Sequence, residues 1–370
     1  MAKRSIGKCR FYADYPSYLK SLGYYKGTYV DGFKDSVTDN DIESIFNMNP
    51  TQPMSLELDY NAGFSQPFNQ ESFKVGVKFQ DDEDEPNVQL AQLLKTTNYA
   101  GVLGHNFMKL SDEGISNEII SVHMGFSNTT EDLSEANKIV NFQGVNYSGY
   151  SLWETGGFPS EDANDYKSAY LQTNYRSDSV EAVQFNAKIS SFTFGRYFEP
   201  SHSPDLSVKL IKSYEGVDVQ TTVGGSTITN FNHLGQPMWG DLPAWTLEKQ
   251  KGHDYNVGAD RGRRTWKVGF SYLSVTDIFN TATNENKFFT WNDPATHDSN
   301  DTGEAGYTFD TSMASFFALT HNGNLRFIFC PDNDADNKEF ALCMIDQDSL
   351  TYTQVAHRTW NVSMNIMEVW

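Results

Sequence analysis

Only three of the 370 residues are cysteine, Cys9, Cys330 and Cys343, an odd count with no pair at metal-ligand spacing. That argues against a disulfide framework and a thiolate metal centre, and leaves buried free thiols of a reducing cytoplasm as the expectation. Long apolar runs are missing as well. No stretch approaches the roughly 18 residues that a membrane-crossing helix needs, so a membrane partner is not expected. The opening MAKRSIGKCRFYADY is basic but has no apolar centre, and is not read as a secretory signal. Positive charge is scarce: 28 Lys and Arg stand against 48 Asp and Glu, a formal net charge of −20. Such a chain repels phosphates and has no basic stripe to overcome that, so specific nucleic-acid binding is not expected. Solubility alone is a sufficient reason for the acidic excess.

The common catalytic motifs are also missing. There is no nucleophile elbow, phosphate-binding loop, dinucleotide glycine pattern, H-E-x-x-H or C-x-x-C. Eight histidines are scattered, with no pair at ligand spacing. His105, in LGHNF, is the best placed; tying down a loop is its first expected role and contact with a glycan its second. Asp332, Asp334 and Asp336 alternate as in the opening of a calcium loop, but no glycine follows at the sixth position and Glu339 comes too early. A solvated hairpin loop is the better reading there. No cofactor, metal or catalytic residue is therefore predicted, and the chain is not expected to be an enzyme.

What is present is aromatic: 26 Phe, 19 Tyr and 7 Trp, between turns rich in Gly and Asn. That composition favours strands, and at this length two or three domains. The stretch 261–370 reads as one β-module. GRRTWKVGFSYL places Trp266, Val268, Phe270 and Tyr272 on alternate positions, and TWNVSMNIMEVW does the same with Trp360, Val362, Met364, Ile366 and Trp370. Between them lie an apolar helical segment, TSMASFFALT, and two strands, LRFIFC and FALCMI. Residues 1–86 read as an N-terminal β segment packed on that module, with Val75, Val77 and Phe79 on one face of a strand. Residues 87–212 have turn signals spaced as in a β-sandwich, and Ile189, Phe192 and Phe194 are expected to be buried. Residues 213–260 are connecting strands, with a hairpin-like excursion around Tyr214 and Gly224-Gly225.

Two resemblances follow from these residues. The module carrying Arg263, Arg264, Trp266, Phe270, Leu273, Phe316, Phe317, Gly323, Phe327, Phe329, Pro331, Asp332, Asp346, Gln354, Val355, Ala356, Trp360 and Trp370 resembles the hub modules of tailed-bacteriophage tails. More specifically, it resembles a group of virion structural proteins of marine phages. The strands around NYAGVLGHNF and FNAKISSFTFGRYFEP resemble a galactose-binding-like jelly roll. Together they imply an all-β, multi-domain chain of β-sandwich or barrel modules, with a short helix in the C-terminal module and a central jelly roll.

The implied function is structural: a distal-tail or tail-tip (baseplate hub) ring protein joining the tail tube to the tip or fibres. It would be made in the host cytoplasm and would work in the virion. The implied partners are copies of itself in a ring, six by resemblance, together with other tail proteins and a host surface glycan. Ring closure needs two different surfaces on each copy, and Arg263, Arg264, Asp332, Asp334 and Asp336 are the predicted interface residues. His105, Trp153 and Tyr197 are the candidate glycan contacts. The alternative is a receptor- or glycan-binding tail fibre or head-decoration protein.

Overall fold

The computed structural model describes residues 7–31, 39–51, 54–58, 70–81, 87–105, 117–127, 138–143, 150–155, 166–177, 185–213, 217–231, 238–239, 242–243, 262–279, 312–335 and 340–369. Among these the fold is all-β, with a few short helices. In the first half the strands are β1 Arg10–Asp14, β2 Gly27–Asp31, β3 Met54–Leu58, β4 Gln70–Lys78, β5 Tyr99–Leu103, β6 Asn117–Ser127, β7 Lys138–Gln143, β8 Tyr150–Glu154, β9 Ser168–Ser177, β10 Phe185–Ile189 and β11 Ser191–Phe198. They continue as β12 Lys209–Ser213, β13 Val217–Thr221, β14 Thr227–Phe231, β15 Met238–Trp239, β16 Leu242–Pro243, β17 Arg263–Ser274, β18 Phe327–Cys330, β19 Ala341–Ile345, β20 Thr351–Ala356 and β21 Thr359–Glu368. The α-helices are α1 Tyr15–Ser21, α2 Asp39–Ser44, α3 Val88–Lys95, α4 Val275–Ile278 and α5 Met313–Leu319.

One antiparallel sheet of ten strands runs β12-β17-β21-β19-β18-β1-β11-β5-β8, with β20 also on β21. It takes strands from residues 1–86, 87–212 and 261–370 alike. The first strand of the chain lies at its centre, hydrogen-bonded to β11 on one side and β18 on the other. A second sheet of five strands runs β2-β4-β9-β6-β7. The two layers share a core. Phe79 and Phe126 reach across from the five-stranded side to Phe194 on β11, with ring centroids 6.3 and 6.1 Å apart. Val75, Val77, Met124 and Leu171 fill the space behind them. Two inward faces meeting over an aromatic core is sandwich packing, and burying those rings is its main driving force.

Period-two alternation decides which side chains enter that core. Trp266, Val268 and Phe270 lie opposite Ile366, Met364 and Val362, all buried. The two TW-led segments, at Thr265 and Thr359, are thus on directly paired strands. Tyr272, which the alternation places with them, does not follow. The register shifts between Phe270 and Leu273, Leu273 takes the inward position, and Tyr272 is left 77% exposed at φ 63°. One inserted residue reverses the facing of all that follows, which is how a β-bulge turns an expected core aromatic outward. Trp370 lies outside the described residues.

Over β1 and β18 the core is closed by α5. Ser312 caps this helix, and Phe316 at its centre packs against Phe11, Phe327 and Phe198. The helix ends in three successive left-handed residues, His321, Asn322 and Gly323. A Cβ on Gly323 would lie 2.5 Å from the Ile345 side chain, so the turn needs glycine for its space as well as its φ of 80°. Gly195 is constrained by space: a Cβ there would lie 2.1 Å from the Ala13 carbonyl oxygen.

At the same crossing sits a buried carboxylate. Asp14 ends β1 and caps α1, accepting from the Ser17 amide at 2.9 Å and from the hydroxyls of Ser17 and Thr193. Burial pushes its pKa up from 3.8 to about 6, against those hydrogen bonds, which hold it down. The folded state therefore binds this proton more tightly than the unfolded chain does. The stabilisation is complete at acidic pH below the ordinary carboxylate range and is lost as pH rises from about 4 to about 6. Asp14→Asn keeps a good helix cap and removes that titration. The difference in melting temperature between variant and wild type is expected to move in the variant's favour as pH rises through this window.

Candidate assembly interface

The described surface is uneven in one respect. Six of its ten exposed large hydrophobic residues, Leu206, Leu210, Ile211, Val219, Val223 and Ile228, come from residues 206–228. Leu206 is 83% exposed, and Val223 at the hairpin tip is wholly so. Single exposed aliphatic residues are ordinary; six within so short a stretch are a concentration of apolar surface, of the kind that interaction sites carry.

The stretch is built in two parts. Asp205 anchors the first: its amide donates to the Gly269 carbonyl at 2.8 Å, and its carboxylate accepts from the Ser271 hydroxyl at 2.7 Å. β12 then pairs with β17 and, among the described strands, with no other, so it forms one edge of the ten-stranded sheet. Lys209 lies directly opposite Lys267, and both are exposed. Lysines on an edge strand oppose pairing of that edge with its own copy while leaving it open to an acidic strand. The second part is the hairpin of β13 and β14, which among the described strands pair only with each other. Its turn is closed by the Thr222 amide donating to Ser226 O at 2.8 Å, with Gly225 in the left-handed region at φ 82°. Val219 lies opposite Thr229 and Ile228 opposite Gln220, so Val219 and Ile228 lie on opposite faces of the ribbon. A lone two-stranded hairpin is marginal in water, so it gains most of its order from whatever it packs against.

The residues predicted from sequence fall elsewhere. Arg264 is turned into the chain. Its backbone amide, Nε and Nη2 all donate to the Glu368 carboxylate, Nη2 also donates to Phe340 O at 3.0 Å, and its guanidinium lies 5.1 Å from the Trp266 ring centroid. Arg263 is half-buried at the start of β17, opposite Ser213 of the edge strand. Asp332 and Asp334 fold around the N-terminal segment: the Asp334 carboxylate accepts from the Lys8 amide at 3.3 Å, and Asn333 N donates to Lys8 O at 2.8 Å. Asp336 lies outside the described residues.

His105, Trp153 and Tyr197 are not brought together. His105 is buried, 2.8 Å from the Ser151 hydroxyl, and burial pushes its pKa down to about 3. Trp153 lies opposite Ala100, which lies opposite Phe194, so it is on the core side of the sheet. Tyr197 lies opposite Tyr12 on the other side, with the Arg10 guanidinium 4.5 Å from its ring centroid. Arg10 in turn donates to Glu154 at 2.5 Å and to Glu199, and the Tyr12 hydroxyl donates to Glu154. Arg10 therefore covers a ring face that a sugar would need.

The three cysteines are buried free thiols; Cys343 lies opposite Phe327, and Cys330 belongs to the other face. Among the described residues, no three His, Cys, Asp or Glu side chains are placed to hold a metal ion. No protein-family model, curated protein or solved structure matches the chain.

Sequence reasoning missed the 206–228 surface, although a signal for it exists. From residue 206 to residue 230 the only aromatic residue is Tyr214, in a chain that is 14% aromatic overall. Aliphatic residues in an aromatic-poor stretch have few ring partners nearby, and these are the ones left outside the core.

Proposed function

We propose that this protein is a structural component of a tailed-phage virion, a distal-tail or tail-tip ring protein that joins the tail tube to the tip or its fibres. The observation that carries the reading is the cluster of exposed aliphatic side chains on an open sheet edge and a projecting hairpin at 206–228. A rigid two-layer body with a sticky edge and an arm is suited to repeated head-to-tail contact, which closes into a ring when the rotation between copies divides a full turn. Its work is then mechanical, and its partners are its own copies and the neighbouring tail proteins. The net charge of −20 suits a ring through which DNA passes without being held. The virion is its place of work, after synthesis in the host cytoplasm.

The test is the mass of the purified chain in solution by light scattering, followed by negative-stain class averages. A closed ring with an open centre, sixfold by the resemblance to tail hubs, is the expected result. A monomer or trimer retained on host polysaccharide would overturn it and transfer the function to receptor binding.

A further inference from the structure

We propose that the copies are joined by strand exchange: β13 of one copy pairs, antiparallel, with the open edge of β12 on the next. This inference rests on the assembly reading above and names the contact that makes the assembly. Within one chain only residues 214–216 separate β12 from β13, a length that commonly closes a hairpin. Yet the two strands are not paired with each other: β12 bonds to β17 and β13 to β14. Among the described strands each therefore keeps one edge unused, although the two are adjacent in sequence.

The two edges are complementary. In the register that a three-residue connection sets, Ser213 meets Val217, Lys212 meets Asp218, and Ile211 meets Val219. That register pairs a lysine with an aspartate and an isoleucine with a valine, and opposite-charge and aliphatic pairs of this kind are what stabilise neighbouring strands. Ile211 and Val219 are 43% and 57% exposed in the single chain, so both have surface to give up. The lysines disfavour β12 pairing with another β12, whereas β13 brings Asp218. A short connection between two complementary strands that stay apart within one chain is the arrangement that favours exchange between chains. It also makes the contact heterologous, edge to arm, as a ring requires.

The test uses the full chain carrying Ile211→Cys and Val219→Cys together. The three native cysteines are buried and stay out of the reaction. After mild oxidation, a non-reducing gel is expected to show a ladder of dimers and higher species, with the melting temperature of the reduced variant unchanged. A disulfide closed within one chain, seen as a faster monomer band, would overturn the exchange, and so would the absence of any crosslink in a protein that still forms rings. In that last case the ring reading stands and only the contact is wrong. A wild-type chain that is monomeric at all concentrations would overturn both. As a second readout, Val219→Asp is expected to raise the concentration needed for assembly about 100-fold while leaving the monomer folded. Unchanged assembly in that variant would remove the hairpin from the interface.

Discussion

Replacing Arg264 with alanine is expected to destabilise the fold itself strongly, and not only to alter a surface contact. Glu368 is fully buried, and its carboxylate takes three hydrogen bonds from Arg264, two of them from the guanidinium. Without that cation a carboxylate stays in the core beside Cys343, with only the backbone amide of residue 264, among the described residues, to answer it. An unpaired buried charge of this kind costs about 3–5 kcal/mol, a large part of the roughly 5–15 kcal/mol that keeps a domain folded. Urea denaturation of Arg264→Ala should show the loss directly. Replacing both partners with methionine removes the charge and its need together, and is expected to restore stability to within about 1–2 kcal/mol of the wild type. Arg264→Lys should fall between, since lysine keeps the charge but cannot reproduce the fork or the bond to Phe340 O. If Arg264→Ala keeps its stability and loses only its oligomeric state, the residue is an interface group after all.

Phe316→Ala is expected to be the most damaging change within the apolar core. The Phe316 ring lies 4.8 Å from Phe11, 5.0 Å from Phe327 and 6.2 Å from Phe198, centroid to centroid. It is thus the point at which α5 meets β1, β11 and β18, strands drawn from three distant parts of the chain. Truncation removes a fully buried ring and leaves a cavity among rigid neighbours, for about 3–5 kcal/mol. Because β1 and β18 are adjacent at the sheet centre, the loss should appear as one cooperative transition at lower denaturant, with no separate unfolding of the C-terminal module. A two-step transition would instead make that module an independent folding unit.

Much of the fold could be read locally. The strands around Trp266 and Trp360, the helix at Met313–Leu319, the buried Ile189, Phe192 and Phe194, and the turn at Gly224-Gly225 all follow from side-chain period and turn chemistry. Those signals act over a few residues, and a few residues suffice to read them. The candidate site was legible only in part. Residues 206–228 read as a hairpin-like excursion, with no hint that β12 would end a sheet while β13 stayed off it. Arg264 carried no mark separating a core ion pair from a surface one, because its partner lies 104 positions away. Asp332 and Asp334 were read as a free acidic loop for the same reason: the Lys8 amide that one of them accepts from belongs to the far end of the chain.

The sequence by itself determined that this is an all-β, acidic chain with an aromatic core, since composition and period-two alternation need no partner to be seen. Tertiary structure alone decided that β1 lies at the centre of the ten-stranded sheet. It also decided that a bulge turns Tyr272 outward, that Arg264 is consumed inside the molecule, and that the aliphatic residues of 206–228 are left outside. Each of those depends on which distant strand becomes a neighbour. That choice is made by the burial of whole faces against each other, and no single segment holds the energy that makes it.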